Sequence, residues 1–305
     1  MLATLTACNN PLETPVRFSV NVAQDSNVVT ESDGTIVAPK GTKITFNFAG
    51  EPDFISFTYD AFFATTAQLS FSTQLGNWGN GPYDNMSLFI SNSFAGLSRS
   101  ALADSILIRN HEWVDISSLC EFPEVRGDEA TSSILFDEYR GDTITLAFRY
   151  KTNSNSDFQP MWTIKKMQID NRIIKTGLSA INITANTMGF TPFDMMKVSN
   201  GNAYETSTTA GGVWDTSNAD ALQIRQTFTG RDLNEDWLIT RQLVIPKGKP
   251  EKGETVSIKN TTDRVTSYSH TFADEGEYTV VFKASNHNYK ANSSTQQAVK
   301  IVIKD

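Results

Sequence analysis

The sequence holds few of the residues that catalysis and metal chemistry use. Among 305 residues there are two cysteines, Cys8 and Cys120, and three histidines, His111, His270 and His287. The histidines are scattered and no His-x-x-x-His or Cys pair has ligand spacing, so zinc is not expected. There is no Gly-x-Ser-x-Gly elbow, and Cys120 has no histidine closer than His111, which leaves nucleophilic catalysis without a base. No run of about eighteen apolar residues offers a membrane-spanning helix. A basic stripe is also missing: 26 Lys and Arg face 34 Asp and Glu, and the net charge of −8 argues against a nucleic-acid partner. Helix-period patterning is nearly absent, with Leu97 to Asp104 the one stretch that could wind into about two turns.

What is present reads as β-structure. The chain is longer than one hydrophobic core usually serves, so two domains are expected. An apolar content of 39%, a charged content of 20% and 19 phenylalanines suit pleated, half-buried surfaces. Period-two alternation marks Arg17–Val22, Lys43–Phe48, Asp53–Phe57, Leu69–Ser72, Met86–Ile90, Thr143–Tyr150, Trp162–Ile169, Trp237–Thr240, Glu277–Ala284 and Ala298–Ile303. Neither end has enough strands to close a sandwich alone, which suggests one domain interrupted by another. Pro246–Gly253, with two prolines and two glycines, reads as a joint that cannot continue a central strand.

Leu5-Thr6-Ala7-Cys8 resembles the bacterial lipoprotein signal, in which small residues admit the peptidase and the Cys8 thiol carries the lipid. The polar Asn9–Pro15 segment fits a tether. Seven residues before Cys8 are fewer than the roughly 15–30 of a signal peptide, so either the start lies upstream of Met1 or the match is chance. Several acyl chains would anchor stably where one holds marginally. Cys120, after Ile116-Ser117-Ser118-Leu119, reads as a small buried hydrophobe.

Two further resemblances concern architecture. Ser267–Val280, with His270-Thr271-Phe272 turning through Gly276 into Tyr278-Thr279-Val280, resembles PKD-type immunoglobulin-like domains. Gly41–Phe46 is similar to their early strand, while Asp53–Phe57 replaces their usual Trp-x-Phe-Gly-Asp-Gly stretch. Asp236-Trp237-Leu238-Ile239, Ala147-Phe148-Arg149-Tyr150, Trp162-Thr163-Ile164 and Trp113-Val114-Asp115-Ile116 resemble elements of adhesin-type jelly rolls. Their order, with the opening Gly50–Phe57, resembles a family of Bacteroidetes cell-surface lipoproteins that carry a domain of unknown function and often accompany SusD-like glycan-uptake lipoproteins. Thr58–Ala61 departs from that family's Gly-Glu run. The resemblance implies an all-β fold with a jelly-roll (galactose-binding-like) domain, residues 64–246, inserted into a PKD-like sandwich, residues 16–63 and 247–305, behind a tether at 1–15.

Candidate sites are few. Glu121, Glu124, Asp128 and Glu129 share one Pro/Gly-containing loop and read as a solvated rim rather than the opposed pair of a glycosidase. Asp232, Asn234 and Asp236 alternate oxygens as a calcium loop does, although Trp237 and Leu243 break the EF-hand pattern. Aromatic residues give the strongest lead, because ring faces stack on sugar C–H groups while amides and carboxylates fix the hydroxyls. Asn77, Trp78 and Tyr83 lie in a Gly/Asn-rich loop, and Trp214 and Asp215 follow Gly211-Gly212. Trp113, Trp162 and Trp237 fall in motif strands and read as core, as does His270. The expectation is a non-catalytic, lipid-anchored protein of the bacterial outer membrane that binds polysaccharide beside uptake-complex proteins. The alternative is an adhesive or structural spacer that engages proteins.

Overall fold

The computed structural model describes residues 16–77, 83–152, 159–227, 233–287 and 291–305. The fold is mostly β, and the chain divides into two compact units: Met1–Ala64 with Gly248–Asp305, and Thr65–Lys247. In the first unit the chain forms β1 (Ser19–Val22), β2 (Val29–Thr30), β3 (Ile36–Pro39), β4 (Lys43–Ala49) and the first part of the long β5 (Phe54–Leu75). The second unit takes the rest of β5, then β6 (Met86–Ser91), α1 (Ala101–Asn110), β7 (Val114–Asp115), β8 (Glu129–Leu135), β9 (Thr143–Lys151) and β10 (Trp162–Ile173). It continues through β11 (Ser179–Thr184), α2 (Ala185–Met188), β12 (Thr191–Asp194), β13 (Trp214–Asp215), β14 (Ala221–Ile224), β15 (Glu235–Ile239) and β16 (Leu243–Val244). The chain returns to the first unit as β17 (Gly248–Lys252), β18 (Val256–Lys259), β19 (Ser267–Thr271), β20 (Gly276–His287) and β21 (Asn292–Lys304).

In the first unit a sheet of order β1-β4-β19 packs on a larger one built around β5, β20, β21 and β3. Strand alternation sends Ile44 and Phe46, Ile55 and Phe57, and Val280 and Phe282 into the space between them. Phe282 packs 4.9 Å from Phe46 and 5.4 Å from Phe57, ring centre to ring centre. β3 and β21 run parallel; the other pairings are antiparallel. The Pro246–Gly253 segment is not only a joint. Its latter part is β17, paired with β5 through Pro250 opposite Phe62. Proline is tolerated there because β17 is an edge strand, and its missing N–H falls on the unpaired side.

In the second unit, the later part of β5 joins β10, β14 and β13, with β8 and β11 alongside, and faces the sheet β12-β15-β9-β6-β7. The core between them holds Leu69, Phe71, Leu88, Leu146, Phe148, Tyr150, Trp162 and Leu238. Phe71 meets Phe148 edge-on at 5.5 Å. The opposite face of the second sheet presents Phe89, Phe193, Trp237 and Ile239 to Ile108 of α1.

That helix starts later than the sequence suggests, at Ala101 rather than Leu97. The reason is Asp104. Its carboxylate accepts bonds from Ser98 N (2.8 Å), Ser98 Oγ (2.7 Å) and Arg99 N (3.0 Å), and from Tyr204 Oη. These bonds hold Ser98 and Arg99 outside the helix, with Arg99 at φ 69°.

Candidate functional site

The turn after β5 and the loop before β8 lie side by side in the second unit. Leu75 N donates to Asp128 O (3.1 Å) and Gly127 N donates back to Leu75 O (3.2 Å). Gly127 is in the left-handed region at φ 82°, which favours glycine, and a Cβ there would also push aside the exposed Asn77 Oδ1, which would stand 2.5 Å away. Near these turns a cleft of about 620 Å³ opens between residues 83–87 and 117–124. Tyr83, Met86, Cys120, Phe122 and Pro123 give it apolar surface, and Asp84, Ser87, Ser117, Glu121 and Glu124 give it oxygens. No Lys, Arg or His is among the described residues of its lining.

The walls are fixed by the backbone. Leu88 N donates to Ser117 Oγ (2.9 Å) and Ile116 N donates to Leu88 O (2.9 Å), which ties the Ser117–Leu119 turn to β6. Cys120 N closes that turn on Ser117 O (3.0 Å). Glu121 N donates to Ser132 Oγ (2.9 Å) and Glu121 O accepts from Thr73 Oγ1 (3.3 Å), leaving the carboxylate to solvent. Burial, with Asp115 and Glu121 nearby, pushes the Cys120 thiol up to about 12. The thiol is therefore held protonated in the cleft floor.

The residues singled out from the sequence fare differently. Tyr83 lines the cleft, half-buried against the core of the unit, and Asn77 is exposed beside Gly127. Trp78, Asp232 and Cys8 lie outside the described residues. Trp214 is not an exposed platform: it is 1% exposed and packs in the core. The cause is strand pairing. Trp214 lies opposite Ile224 in β14, and alternation turns its ring inward with that residue. Asp215, on the other side of the strand, bonds Ser217 N (3.0 Å) and Oγ (2.6 Å) in a local turn.

Two of the proposed calcium residues, Asn234 and Asp236, are described, and Asp236 Oδ2 is buried without a hydrogen-bond partner. Asn234 N donates to Thr152 Oγ1 (2.7 Å), and its Nδ2 donates to Gly212 O (3.3 Å). Asp236 is 2% exposed; burial and the Asp194 carboxylate, its register partner in β12, push its pKa well above the usual carboxylate range. Asp194 meets Lys197 at 3.4 Å and accepts from the backbone of Met196 and Lys197. Among the described residues no three His, Cys, Asp or Glu side chains converge on a metal position.

Of the acidic loop, Glu121 and Glu124 border the cleft, whereas Glu129 is paired with Lys165 at 2.6 Å. Sequence reasoning passed over Phe122 and Asp84. The signal for Phe122 was an aromatic followed by Pro123 inside an acidic loop, where little else could bury it. With Tyr83 and Phe122 as ring surfaces and carboxylates and hydroxyls around them, the cleft can pack against C–H faces and accept hydrogen bonds from hydroxyl groups.

No curated protein and no solved structure matches the chain. The pattern of one family, Domain of unknown function (DUF5017), matches residues 7–190, more than half of the sequence and inclusive of the cleft. The chain belongs to the DUF5017 family.

Proposed function

We propose that the cleft between residues 83–87 and 117–124 binds a carbohydrate chain without cleaving it. The observation that carries this reading is the pairing of two ring-bearing walls, Tyr83 and Phe122, with three exposed carboxylates, Asp84, Glu121 and Glu124, and no cation among the described lining residues. A polyol donates hydroxyl hydrogens to such carboxylates, and its C–H faces cover the rings. Within this proposal the second unit is a jelly roll set into a PKD-like sandwich, and Cys8 carries a lipid that holds the protein on a bacterial outer surface. There it would pass glycan to neighbouring uptake proteins, as the likeness to Bacteroidetes lipoproteins suggests.

A glycan-array screen followed by calorimetric titration tests the binding. Tyr83→Ala and Phe122→Ala are each expected to weaken it by about tenfold, near 1.4 kcal/mol. No affinity for any polysaccharide, or affinity untouched by both changes, would leave the spacer reading. The anchor is tested by metabolic labelling with a clickable fatty acid, which Cys8→Ser should abolish.

A further inference from the structure

The two sheets of the first unit are unequal in width. The smaller has the order β1-β4-β19, so among the described residues β19 is an edge. The larger continues beyond β5 to β17 and β18. Alternating hydrogen bonds decide what the β19 edge presents. Thr45 O accepts from Ala23 N (2.8 Å), so the backbone groups of Thr45 face β1; Phe48 N donates to Thr266 O (2.8 Å), so those of Phe48 face β19. With the register Thr45 opposite Ser269, the hydrogen-bonded pairs fall on Thr266, Tyr268 and His270. Ser267, Ser269 and Thr271 therefore turn their N–H and C=O groups away from β4. Thr45 Oγ1 and Ser269 Oγ lie 2.9 Å apart, consistent with a non-hydrogen-bonded pair whose side chains stand close.

Edges of this kind are usually blunted by Lys, Pro or a bulge. Ser-Tyr-Ser-His-Thr carries no such block, and its register with β4 is unbroken. Beside it lies a cleft of about 350 Å³ with an aromatic floor of Tyr59, His270, Phe272 and Tyr278, whose neighbouring rings are 4.4 to 5.7 Å apart. Gly253 permits this floor, since a Cβ there would stand 2.5 Å from the Tyr59 ring. The rim carries Glu251, Glu254 and Asp274 against Lys252. Further along, Val256 of β18 lies opposite core-facing Phe57 yet is 39% exposed, and no described strand of the smaller sheet extends past β19 to cover it.

We propose that the β19 edge and this cleft receive an extended segment of a partner protein, which adds as a fourth strand and places a Lys or Arg side chain over the aromatic floor. Main-chain bonds to Ser267, Ser269 and Thr271 supply the attachment, as in strand addition generally. The acidic rim and the half-buried rings of Tyr59 and His270, backed by the buried Phe272 and Tyr278, select a cation. A second copy of this chain is the poorer fit, because the strand it would offer at the same edge contains neither Lys nor Arg.

The test uses the full chain and two synthetic heptapeptides, acetyl-Thr-Val-Thr-Lys-Thr-Val-Thr-amide and its central Glu counterpart. The Lys peptide is expected to bind at least about tenfold more tightly and to slow amide exchange at Ser267, Ser269 and Thr271. Ser269→Pro removes an outward N–H and leaves the main-chain bonds to β4 in place, losing there only the Ser269 Oγ contact with Thr45 Oγ1. It should abolish that protection, and Ser269→Ala, which loses the same hydroxyl but keeps the N–H, should retain it and serves as the stability control. Glu254→Lys, on the exposed rim, should weaken the Lys peptide and spare the Glu peptide; it stands as the second test should Ser269→Pro fail to fold. Equal affinity for the two peptides, unchanged exchange on saturation, or full binding by a folded Ser269→Pro protein would overturn the proposal. So would self-association on ultracentrifugation that Ser269→Pro removes, since it would assign the edge to a second copy.

Discussion

Phe122 stands edge-on to Trp162, with ring centres 5.8 Å apart and planes at 85°. Trp162 is wholly buried, and its Nε1 donates to Asn85 Oδ1 (2.9 Å). One side chain thus lines the candidate cleft and packs on the core beneath it. Phe122→Ala is expected to lower unfolding stability by about 1–2 kcal/mol, below the cost for a fully buried ring because Phe122 is half-exposed. Phe122→Leu should restore most of that stability without restoring ligand affinity. Denaturant unfolding and titration of the same samples separate the two effects.

Asp104 makes an acid-sensitive anchor for α1. Burial opposes its ionisation, but the bonds from Tyr204, Ser98 and Arg99 outweigh it and hold the carboxyl below the ordinary 3.8. The folded-state value is depressed, so the stabilisation is present above the unfolded-state pKa and fades as pH falls through the folded one. Asp104→Asn should cost about 2–3 kcal/mol at neutral pH. Its deficit relative to the parent should shrink in acid, as urea unfolding at several pH values would show.

Asp236 behaves oppositely. Its folded-state pKa is raised, so its contribution is most favourable below the ordinary 3.8 and is lost as pH climbs through the folded value. Asp236→Asn is therefore expected to be more stable than the parent at pH 7 in EDTA, with the difference vanishing in acid. A calcium ion held by Asp236 would reverse the sign on calcium addition, raising the parent's melting temperature alone. Thermal unfolding with and without calcium reads both outcomes.

Cys120, with its thiol near 12 and partly covered, should resist modification. In a Cys8→Ser background, reaction with a disulfide reagent at pH 8 should run at least about a hundredfold slower than for a free thiol. Full-speed labelling of the folded protein would show that the cleft floor opens.

Strand positions were largely legible because a pleated strand with one buried face writes its period into sequence: Ile44, Phe46 and Phe48, or Phe57 among polar neighbours. The length of β5 was not, since the Thr58–Ala64 stretch pairs with β17 and β20, partners distant in sequence. The helix start was misplaced because apolar periodicity does not report side-chain bonds, here the local reach of Asp104 back to Ser98 and Arg99, steadied by the distant Tyr204. Within the candidate site, Tyr83 could be read from its Gly- and Asn-rich setting. The same reasoning failed for Trp214, whose two-residue strand is too short to show a period and is turned inward by Ile224.

The register of β17 also bears on how such a chain could be assembled. Gly248 is paired with Ala64, so the two cut ends of the first unit are directly opposed register partners on adjacent antiparallel strands. To that unit, residues 65–247 are topologically a hairpin loop, and loop length costs little once the ends are held. Replacing the whole insert by a short type I′ turn should leave a chain that unfolds in one cooperative transition by circular dichroism. The outer unit would then be a socket that tolerates exchange of its cargo domain, free to retain its own edge and cleft while the inserted module changes.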